Sequence, residues 1–305
     1  MRSYPAQLML VATMAAATVS QARMPGQPYA YPAPDIEGLL PFTQAESEAF
    51  RRAGVREIEI VHHSGSVTRC QLNADGRVTS LTGVEVRNDL DVHLARSIFR
   101  YDGEGRLLSR RYADDHLSTL DSLAYDGAGL LAYYLSTRRD RSRKDTPIDT
   151  LWHLVAGETG PWLRDRTTDG GCRFEVGPGM RIDRIQCAER TDSVSSEADD
   201  QGRKVRRYWC RTDSSLTHLG REEVWKDERP VYETVWEKVG PDTRQVAYRK
   251  HFHYDEEGLL RRSDHDDPHK PKELYTYYDN GLVMEQVTVT RLHVRVERYR
   301  YTYGP

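Results

Sequence analysis

Short stretches in which apolar and polar residues alternate run through most of the chain, and turns rich in Asp, Asn and Gly separate them. In the stretch Glu57–Val61, Ile58 and Ile60 share one face of a strand and the glutamates share the other. Ser64-Gly65 then predicts a turn, and Val67–Leu72 predicts the returning strand. From residue 57 onward, this pattern predicts an antiparallel all-β fold.

The residues before this pattern differ from it. Thr43-Gln-Ala-Glu46 is a capping box, and Gly54 is a typical residue for the end of a helix, so we predict one short helix between them. Residues 23–41 are rich in Pro and Tyr. We predict that they form a tether, or a strap along the surface, because Pro-rich segments do not form regular structure.

A short sequence motif recurs along the strands. It consists of an aromatic residue, any residue, Tyr-Asp, any two residues, Gly, any residue and Leu. Asp favours the first position of a type I turn, and a left-handed Gly completes a hairpin connection. Tyr101 and Tyr125 lie 24 residues apart, as do Tyr254 and Tyr278, which is a period typical of repeated hairpins. The copies are Phe99–Leu107, Leu123–Leu131 with Leu as its first residue, Phe252–Leu260 and a shortened Tyr275–Leu282, with weaker echoes at Asn73–Val78 and Asp199–Val205.

This motif resembles that of the YD-repeat family, the bacterial Rhs-type proteins whose modules carry Tyr-x-Tyr-Asp-x-x-Gly-Arg-Leu. The match at residues 99–107 is close and includes Arg106, whereas Leu130 and Leu259 replace that Arg in two other copies. The copies cover about a third of the chain. The resemblance implies an antiparallel sheet of repeated β-hairpins, which we expect to be open, curved or partly closed. Large members are implied to form a hollow shell, for which this chain has too few modules.

Composition changes along the chain predict five segments. They are a signal peptide (1–22), the Pro/Tyr-rich tether (23–41), a helix with N-terminal hairpin repeats (42–140), an atypical β-rich portion containing Cys and Trp (141–244) and C-terminal YD-like hairpins (245–305). The charged run Arg138–Asp145 marks the break between the two sets of hairpins.

The first 22 residues are typical of a secretory signal peptide. Arg2 is the positive start, Leu8–Val19 is the apolar stretch and Ser20-Gln21-Ala22 is the cleavage site. We therefore predict cleavage after Ala22 and a secreted or periplasmic product, although a buried N-terminal helix is the alternative. No segment has the apolar length of a transmembrane helix, so we predict none.

The four cysteines predict two disulfides in an exported chain. Cys172 and Cys187 flank the turn Val176–Met180, so a hairpin would bring them together. Cys70 and Cys210 would then form a long-range bridge, although Cys187 with Cys210 is an alternative pairing. No Cys-x-x-Cys spacing occurs that would indicate a zinc site, and we predict no cofactor.

The formal net charge is −3, and it becomes −4 without residues 1–22, which contain one Arg and no acid. A nucleic-acid-binding protein would carry a basic surplus, so we predict no nucleic-acid partner. The chain has 18 Tyr but only 5 Phe and 5 Trp. Because Tyr is amphipathic, we expect a broad, partly solvated sheet, with the tryptophans between residues 152 and 236 as the stronger candidates for ligand contact.

Two groups of histidines are candidates for chemistry. His265-Asp-Asp-Pro-His269 contains ligands suited to a divalent metal, but its place between two modules favours a solvated loop. His251 and His253 share one strand face, and either would suit a general base. The chain lacks the Gly-x-Ser-x-Gly, phosphate-loop, His-Glu-x-x-His and Rossmann motifs. We therefore assign no catalytic or metal-binding residue.

These observations favour an exported binding or scaffold protein of the cell envelope, with a protein or glycan as partner and without chemistry of its own. Two alternatives stay open. One is a periplasmic immunity or inhibitor protein that acts against an envelope-targeting toxin. The other is an envelope hydrolase that uses His251, His253 or the cluster at residues 265–269.

Overall fold

The computed structural model describes residues 39–87, 91–142, 148–157, 162–166, 172–176, 182–187, 190–212, 217–227, 229–239 and 243–304. The predicted signal peptide (1–22) and residues 23–38 of the predicted tether lie outside these ranges. The described helix is α1 (Gln44–Ala53). The described strands are β1 (Val55–Val61), β2 (Val67–Leu72), β3 (Val78–Arg87), β4 (Asp91–Tyr101), β5 (Leu107–Ala113), β6 (Leu117–Tyr125), β7 (Leu131–Asp140), β8 (Asp149–Ala156), β9 (Trp162–Asp165), β10 (Arg173–Val176), β11 (Ile182–Gln186), β12 (Arg190–Ala198), β13 (Lys204–Thr212), β14 (Thr217–Lys226), β15 (Arg229–Lys238), β16 (Arg244–Tyr254), β17 (Leu260–His265), β18 (Lys272–Tyr277), β19 (Val283–Val289) and β20 (Val294–Tyr303).

The strands form a closed antiparallel barrel. Each strand pairs with the next one along the chain, and β20 pairs with β1, so that the 20 described strands complete a ring. At this seam, Ile58 lies opposite Tyr301 and Glu59 lies opposite Arg300. The prediction of an antiparallel all-β fold with one short helix is confirmed. The expectation of an open or partly closed sheet is corrected, because the last strand pairs with the first.

The wall of the barrel has an apolar inner face and a charged outer face around the seam. Ile58 and Ile60 are almost fully buried, whereas Glu59 between them pairs with Arg69 at 3.1 Å and with Arg300 at 3.2 Å on the outside. The inner residues of β1–β10, β19 and β20 form one hydrophobic cluster. Apolar residues on one face and ion pairs on the other are typical of a sheet with one solvated face.

The recurring turns have the predicted geometry. The Asp102 carbonyl accepts a hydrogen bond from the Gly105 N–H (3.0 Å). The Asp102 carboxylate accepts hydrogen bonds from the backbone N–H groups of Glu104 (3.0 Å) and Arg106 (2.8 Å). Gly105 has a φ of 79°, which suits Gly far better than other residues. Residues 126–130, 199–203 and 255–259 repeat these contacts. The type I turn with a left-handed Gly is therefore confirmed.

The shortened copy is offset by one residue. Its turn opens at Tyr278, whose carbonyl accepts the Gly281 N–H at 2.9 Å. Tyr277, and not Tyr278, therefore occupies the position of Tyr101 and Tyr254. The period between these two C-terminal modules is 23 residues and not 24, because the turn here starts on the residue before Asp279.

A recurring tyrosine connects neighbouring modules at four places in the described strands. Its hydroxyl donates a hydrogen bond to the carbonyl of the first residue in the strand that follows the preceding repeat turn. The pairs are Tyr101 with Val78 (2.9 Å), Tyr125 with Leu107 (2.9 Å), Tyr277 with Leu260 (2.7 Å) and Tyr301 with Val283 (2.9 Å). A buried Tyr needs such a partner for its hydroxyl, so the recurring Tyr is explained by contact between modules.

The arginine of the Gly-Arg pair also spans two modules. Arg106 Nε contacts the Asp102 carboxylate at 2.7 Å, and its guanidinium lies 4.8 Å from the centre of the Tyr125 ring. Desolvation acts to raise the pKa of Asp102, but hydrogen bonds from Arg106 lower it overall. In the copy where Leu259 replaces this Arg, Arg261 makes the equivalent contacts with the Asp255 carboxylate (2.6 Å) and the Tyr277 ring (5.1 Å).

Helix α1 packs against the barrel end that carries these turns. It begins at the N-cap Thr43, whose side chain and that of Glu46 form the predicted capping box, and it ends at the left-handed Gly54. Phe50 is buried, with its ring 6.3 Å from that of Tyr301. Glu46 is also buried, and desolvation raises its pKa to about 7 although Thr43 donates two hydrogen bonds to its carboxyl.

One predicted disulfide is confirmed. Cys172 and Cys187 are bonded across the hairpin of β10 and β11. Cys70 is a free, buried thiol, so the predicted Cys70–Cys210 bridge is wrong. The reason is topological: Cys70 faces the core from β2, and β2 pairs with β1 and β3, far along the ring from β13, which carries Cys210. Burial raises the pKa of the Cys70 thiol to about 12, with a smaller contribution from Glu57.

Candidate functional site

A buried polar cluster lies on the inner face of β16–β18. The Glu273 carboxylate accepts hydrogen bonds from Ser263 Oγ (2.6 Å), Lys250 Nζ (2.9 Å) and the Tyr275 hydroxyl (3.1 Å). Desolvation acts to raise the pKa of Glu273, but Lys250 and these hydrogen bonds lower it overall. Ser263 has no exposed surface, so no substrate can reach its hydroxyl. This cluster neutralises a buried carboxylate and thereby serves the fold.

The two candidate strand histidines lie on the outer face, each beside a carboxylate. His251 Nε2 is 2.7 Å from Asp266, and His253 Nε2 is 3.1 Å from Asp264 and 3.2 Å from Arg262. The partner of His251 is thus an Asp, and the partners of His253 are an Asp and an Arg. A hydrolase would also need a nucleophile or an activated water within reach of the base.

The other two candidate histidines lie in different surroundings, His265 at the end of β17 and His269 in the exposed segment before β18. His265 is an inner residue whose ring contacts that of Tyr248 edge to face, with centroids 5.2 Å apart. Desolvation is the largest cause that lowers the pKa of His265, and the charge of Lys250 lowers it further. His269 is exposed, and its backbone N–H donates to Asp267 (2.8 Å). Within the described ranges, no group of three or more His, Cys, Asp or Glu residues is arranged to hold a metal ion.

Several of the candidate tryptophans have structural contacts. Trp152 packs edge to face on buried Phe174, with centroids 5.8 Å apart. Trp209 Nε1 donates to Ser195 Oγ (2.9 Å), and Trp225 Nε1 donates to Glu223 (3.3 Å). The side chain of Trp162 lies outside the described residues. These contacts give Trp152 a place in the core and satisfy the polar atom of the other two.

The outer face of β4–β7 carries a groove of about 490 Å³. We name it the arginine groove, and its lining residues are Arg96, Ile98, Arg111, Ala113, Ser118, Arg139 and Arg141. Along β4, Arg96 and Arg100 are exposed, whereas Ser97 and Phe99 are buried, which places Arg96 on the outer face. The groove thus opens to solvent and not to the interior of the barrel.

The register of four strands assembles this groove. Arg96 lies opposite Ala113, which lies opposite Ser118, which lies opposite Arg139, and so these four residues form one row across the sheet. In the next row, Arg111 lies between Ile98 and Leu120. Since neighbouring strands are about 4.8 Å apart, the ends of the first row are about 14 Å apart.

Two arginines of the groove, Arg96 and Arg111, carry positive charge that no acid in the described ranges pairs with. Asp121 of β6 faces inward instead, where it lies 3.7 Å from Arg110 and accepts a hydrogen bond from Tyr134 (3.1 Å). The sheet therefore separates charge, with the carboxylate inside and the two unpaired guanidinium groups outside.

This arrangement suits the binding of an anionic group. A guanidinium presents its N–H donors as a planar fork that matches the oxygens of a carboxylate or a phosphate. Arg141 is partly fixed, because its backbone N–H donates to His116 O (2.7 Å) and its side chain donates to the Asp114 carbonyl. The Ser118 hydroxyl adds an uncharged polar group.

Sequence reasoning missed the arginine groove. Its arginines are spread from residue 96 to residue 141, and the charged run Arg138–Asp145 contains two of them, Arg139 and Arg141, but neither Arg96 nor Arg111. The alternation Arg96, Ser97, Ile98, Phe99 does indicate that Arg96 and Ile98 share a face. The contact with Arg111 and Arg139 depends on the register of four strands, which the alternation alone does not fix.

Within the described ranges, no helix combines the length and the apolar composition that a membrane crossing requires.

Comparison with protein-family models finds no match for the chain, and comparison with curated proteins finds none either. Among solved structures, it is similar to a porin-like protein from Bacteroides uniformis ATCC 8492, with a TM-score of 0.32 and 10% identity over 81% of this chain and 98% of that chain. It is also similar to a chain of the TcdB2-TccC3-TEV structure, with a TM-score of 0.21 and 13% identity over 73% of this chain and 12% of that chain. At these scores, neither likeness bears on function.

Proposed function

We propose that the protein is an exported binding or scaffold protein of the cell envelope, built on a barrel of YD-repeat type. The observation that carries the binding role is the arginine groove, a concave surface with unpaired guanidinium groups on a wall of paired strands. A groove on regular strands is held more precisely than one on loops. The protein's part is to present these side chains in a fixed arrangement, without chemistry of its own.

The YD-repeat assignment is supported by what the recurring residues do. In a single module, Asp102 accepts turn N–H groups, Gly105 adopts a left-handed conformation and Arg106 reaches from Asp102 to Tyr125. Each position of the consensus thus has a physical reason within the barrel. A chance recurrence of Tyr-Asp pairs at hairpins would not require the contacts between modules.

The test is affinity capture of the full chain, tagged at its C-terminus, after expression in a bacterial host with an envelope. We expect mass spectrometry to find the mature N-terminus at Arg23 and the protein in the periplasmic or secreted fraction, retained on envelope material. An uncleaved protein in the cytosol without envelope affinity would contradict the proposal. Capture of one stoichiometric toxin would favour the immunity or inhibitor alternative instead.

The hydrolase alternative depends on the outer histidines. Replacement of His251 and His253 by Ala tests it, because both side chains are at least partly exposed and the substitutions leave the inner face unchanged. Loss of an envelope-degrading activity in this variant, with envelope retention intact, would replace the binding role by a catalytic one.

A further inference from the structure

We infer that the arginine groove binds a phosphate-bearing ligand. This inference rests on the proposed binding role and deepens it, since it names the chemistry of the partner. The groove places Arg96 and Arg111 on neighbouring strands at positions one row apart, with Ser118 one strand beyond. Two guanidinium forks and a hydroxyl can together surround a tetrahedral anion, which offers acceptors in several directions.

Charge favours phosphate over a single carboxylate. A carboxylate carries one charge and two oxygens in one plane, whereas a phosphate monoester carries up to two charges and three strong acceptor oxygens. Four arginines line the groove, and Arg96 and Arg111 have no carboxylate partner in the described part of the chain. One carboxylate would leave the charge of one of these two arginines uncompensated.

The dimensions favour a ligand with more than one charged group. The first row runs about 14 Å from Arg96 to Arg139, as three strand spacings require. The cavity of about 490 Å³ lies within the range of sites for small molecules. Ile98 and Ala113 form an apolar floor between the arginines, which suits the carbon skeleton between two charged groups.

Two arginines elsewhere on the described outer face differ from the two unpaired arginines of the groove, because each pairs with an acid. Arg69 of β2 pairs with Glu59, and Arg298 of β20 pairs with Glu285 at 2.9 Å. These arginines are as exposed as those of the groove, but their charge is already compensated by glutamates. They therefore provide a matched control, because replacing them changes the net charge equally on a different part of the barrel.

The experiment is isothermal titration calorimetry of the full chain with pyrophosphate, and with citrate as the carboxylate probe. We expect pyrophosphate to bind more tightly than citrate and its affinity to fall with added salt. The Arg96→Gln/Arg111→Gln variant should bind pyrophosphate at least about tenfold more weakly, since it loses two charge-assisted contacts. The Arg69→Gln/Arg298→Gln control should stay within about twofold.

A third variant separates charge from geometry. Arg96→Lys/Arg111→Lys keeps both charges but removes the planar forks, so we expect an affinity between those of the native protein and the Gln variant. Thermal unfolding of each variant should show a native transition, because substitutions of exposed side chains change stability by no more than about 0.5 kcal/mol.

Vesicles distinguish the two sources of phosphate. Retention on phosphatidylglycerol vesicles but not on phosphatidylcholine vesicles, reversed by pyrophosphate, would assign the ligand to a lipid headgroup. Pyrophosphate binding without vesicle retention would assign it to a soluble phosphate. Equal affinity for citrate and pyrophosphate, or equal losses in the Gln variant and its control, would overturn the inference. Groove-dependent retention on envelope material with no affinity for pyrophosphate would overturn it too, but would leave the proposed binding role intact.

Discussion

Single tyrosines connect the modules of the barrel, and their hydroxyl groups are the most specific part of that connection. Tyr101 donates to the Val78 carbonyl of the preceding module at 2.9 Å, and burial raises its pKa to about 12, an effect that the charge of Arg77 partly offsets. Tyr254 occupies the same position in its own module, but its buried hydroxyl has no partner among the described residues. The preceding hairpin, β14–β15, departs from the repeat, so no equivalent carbonyl is in place.

This difference gives a prediction with an internal control. Tyr101→Phe should lower the free energy of unfolding by about 1 kcal/mol, because it leaves the Val78 carbonyl without its donor. Tyr254→Phe should be neutral or slightly stabilising, because it removes a buried hydroxyl that makes no hydrogen bond. Urea unfolding of both variants measures the two effects, and equal costs would show that the hydroxyl contacts do not link the modules.

At the scale of elements, helix α1 packs against the barrel and buries the carboxyl group of Glu46. Glu46 accepts hydrogen bonds from the Thr43 N–H (2.7 Å) and hydroxyl (2.8 Å), yet desolvation dominates and raises its pKa from 4.5 to about 7. An unfolded chain releases this proton at lower pH than the folded protein does. Stability therefore falls as pH rises from about 4.5 to about 7, and the loss is complete above that range.

Glu46→Gln tests this linkage, because Gln keeps the acceptor of the capping box without the charge. The variant should be more stable than the native protein by about 1–3 kcal/mol near pH 8, with little difference near pH 5. The matched control is Glu48→Gln on the exposed side of the same helix, which should change stability by less than about 0.5 kcal/mol at both pH values. Urea unfolding midpoints report the result, and a gain that is the same at both pH values would contradict the assigned burial of charge.

Local patterns predicted the elements well because local physics decides them. The alternation around Ile58 and Ile60, the capping box at Thr43 and the turn at Asp102 each depend on residues close in sequence, and all three are confirmed. The motif predicts Tyr278 as the tyrosine before the fourth turn, but that tyrosine is Tyr277. Both adjacent tyrosines fit the motif, so the sequence alone does not distinguish them. Local spacing also predicted Cys172–Cys187, whereas the long-range pairing of Cys70 failed.

At the scale of the whole molecule, ring closure and the site both depend on contacts that are distant in sequence. The seam pairs β1 with β20, and its charges match, since Glu59 contacts both Arg69 and Arg300. No local pattern indicates that the first strand pairs with the last. The arginine groove depends in the same way on the register of β4–β7, and so it was absent from the predicted sites.

The central functional claim is that this barrel binds its envelope partner through the arginine groove. The most direct measurement is the fraction of purified protein retained on washed envelope material, compared among three forms of the full chain: the native protein, Arg96→Gln/Arg111→Gln and Arg69→Gln/Arg298→Gln. We predict that the native protein and the second variant are retained alike, whereas the groove variant is largely lost to the wash. Equal retention of all three forms would contradict the claim and place the binding surface elsewhere on the barrel.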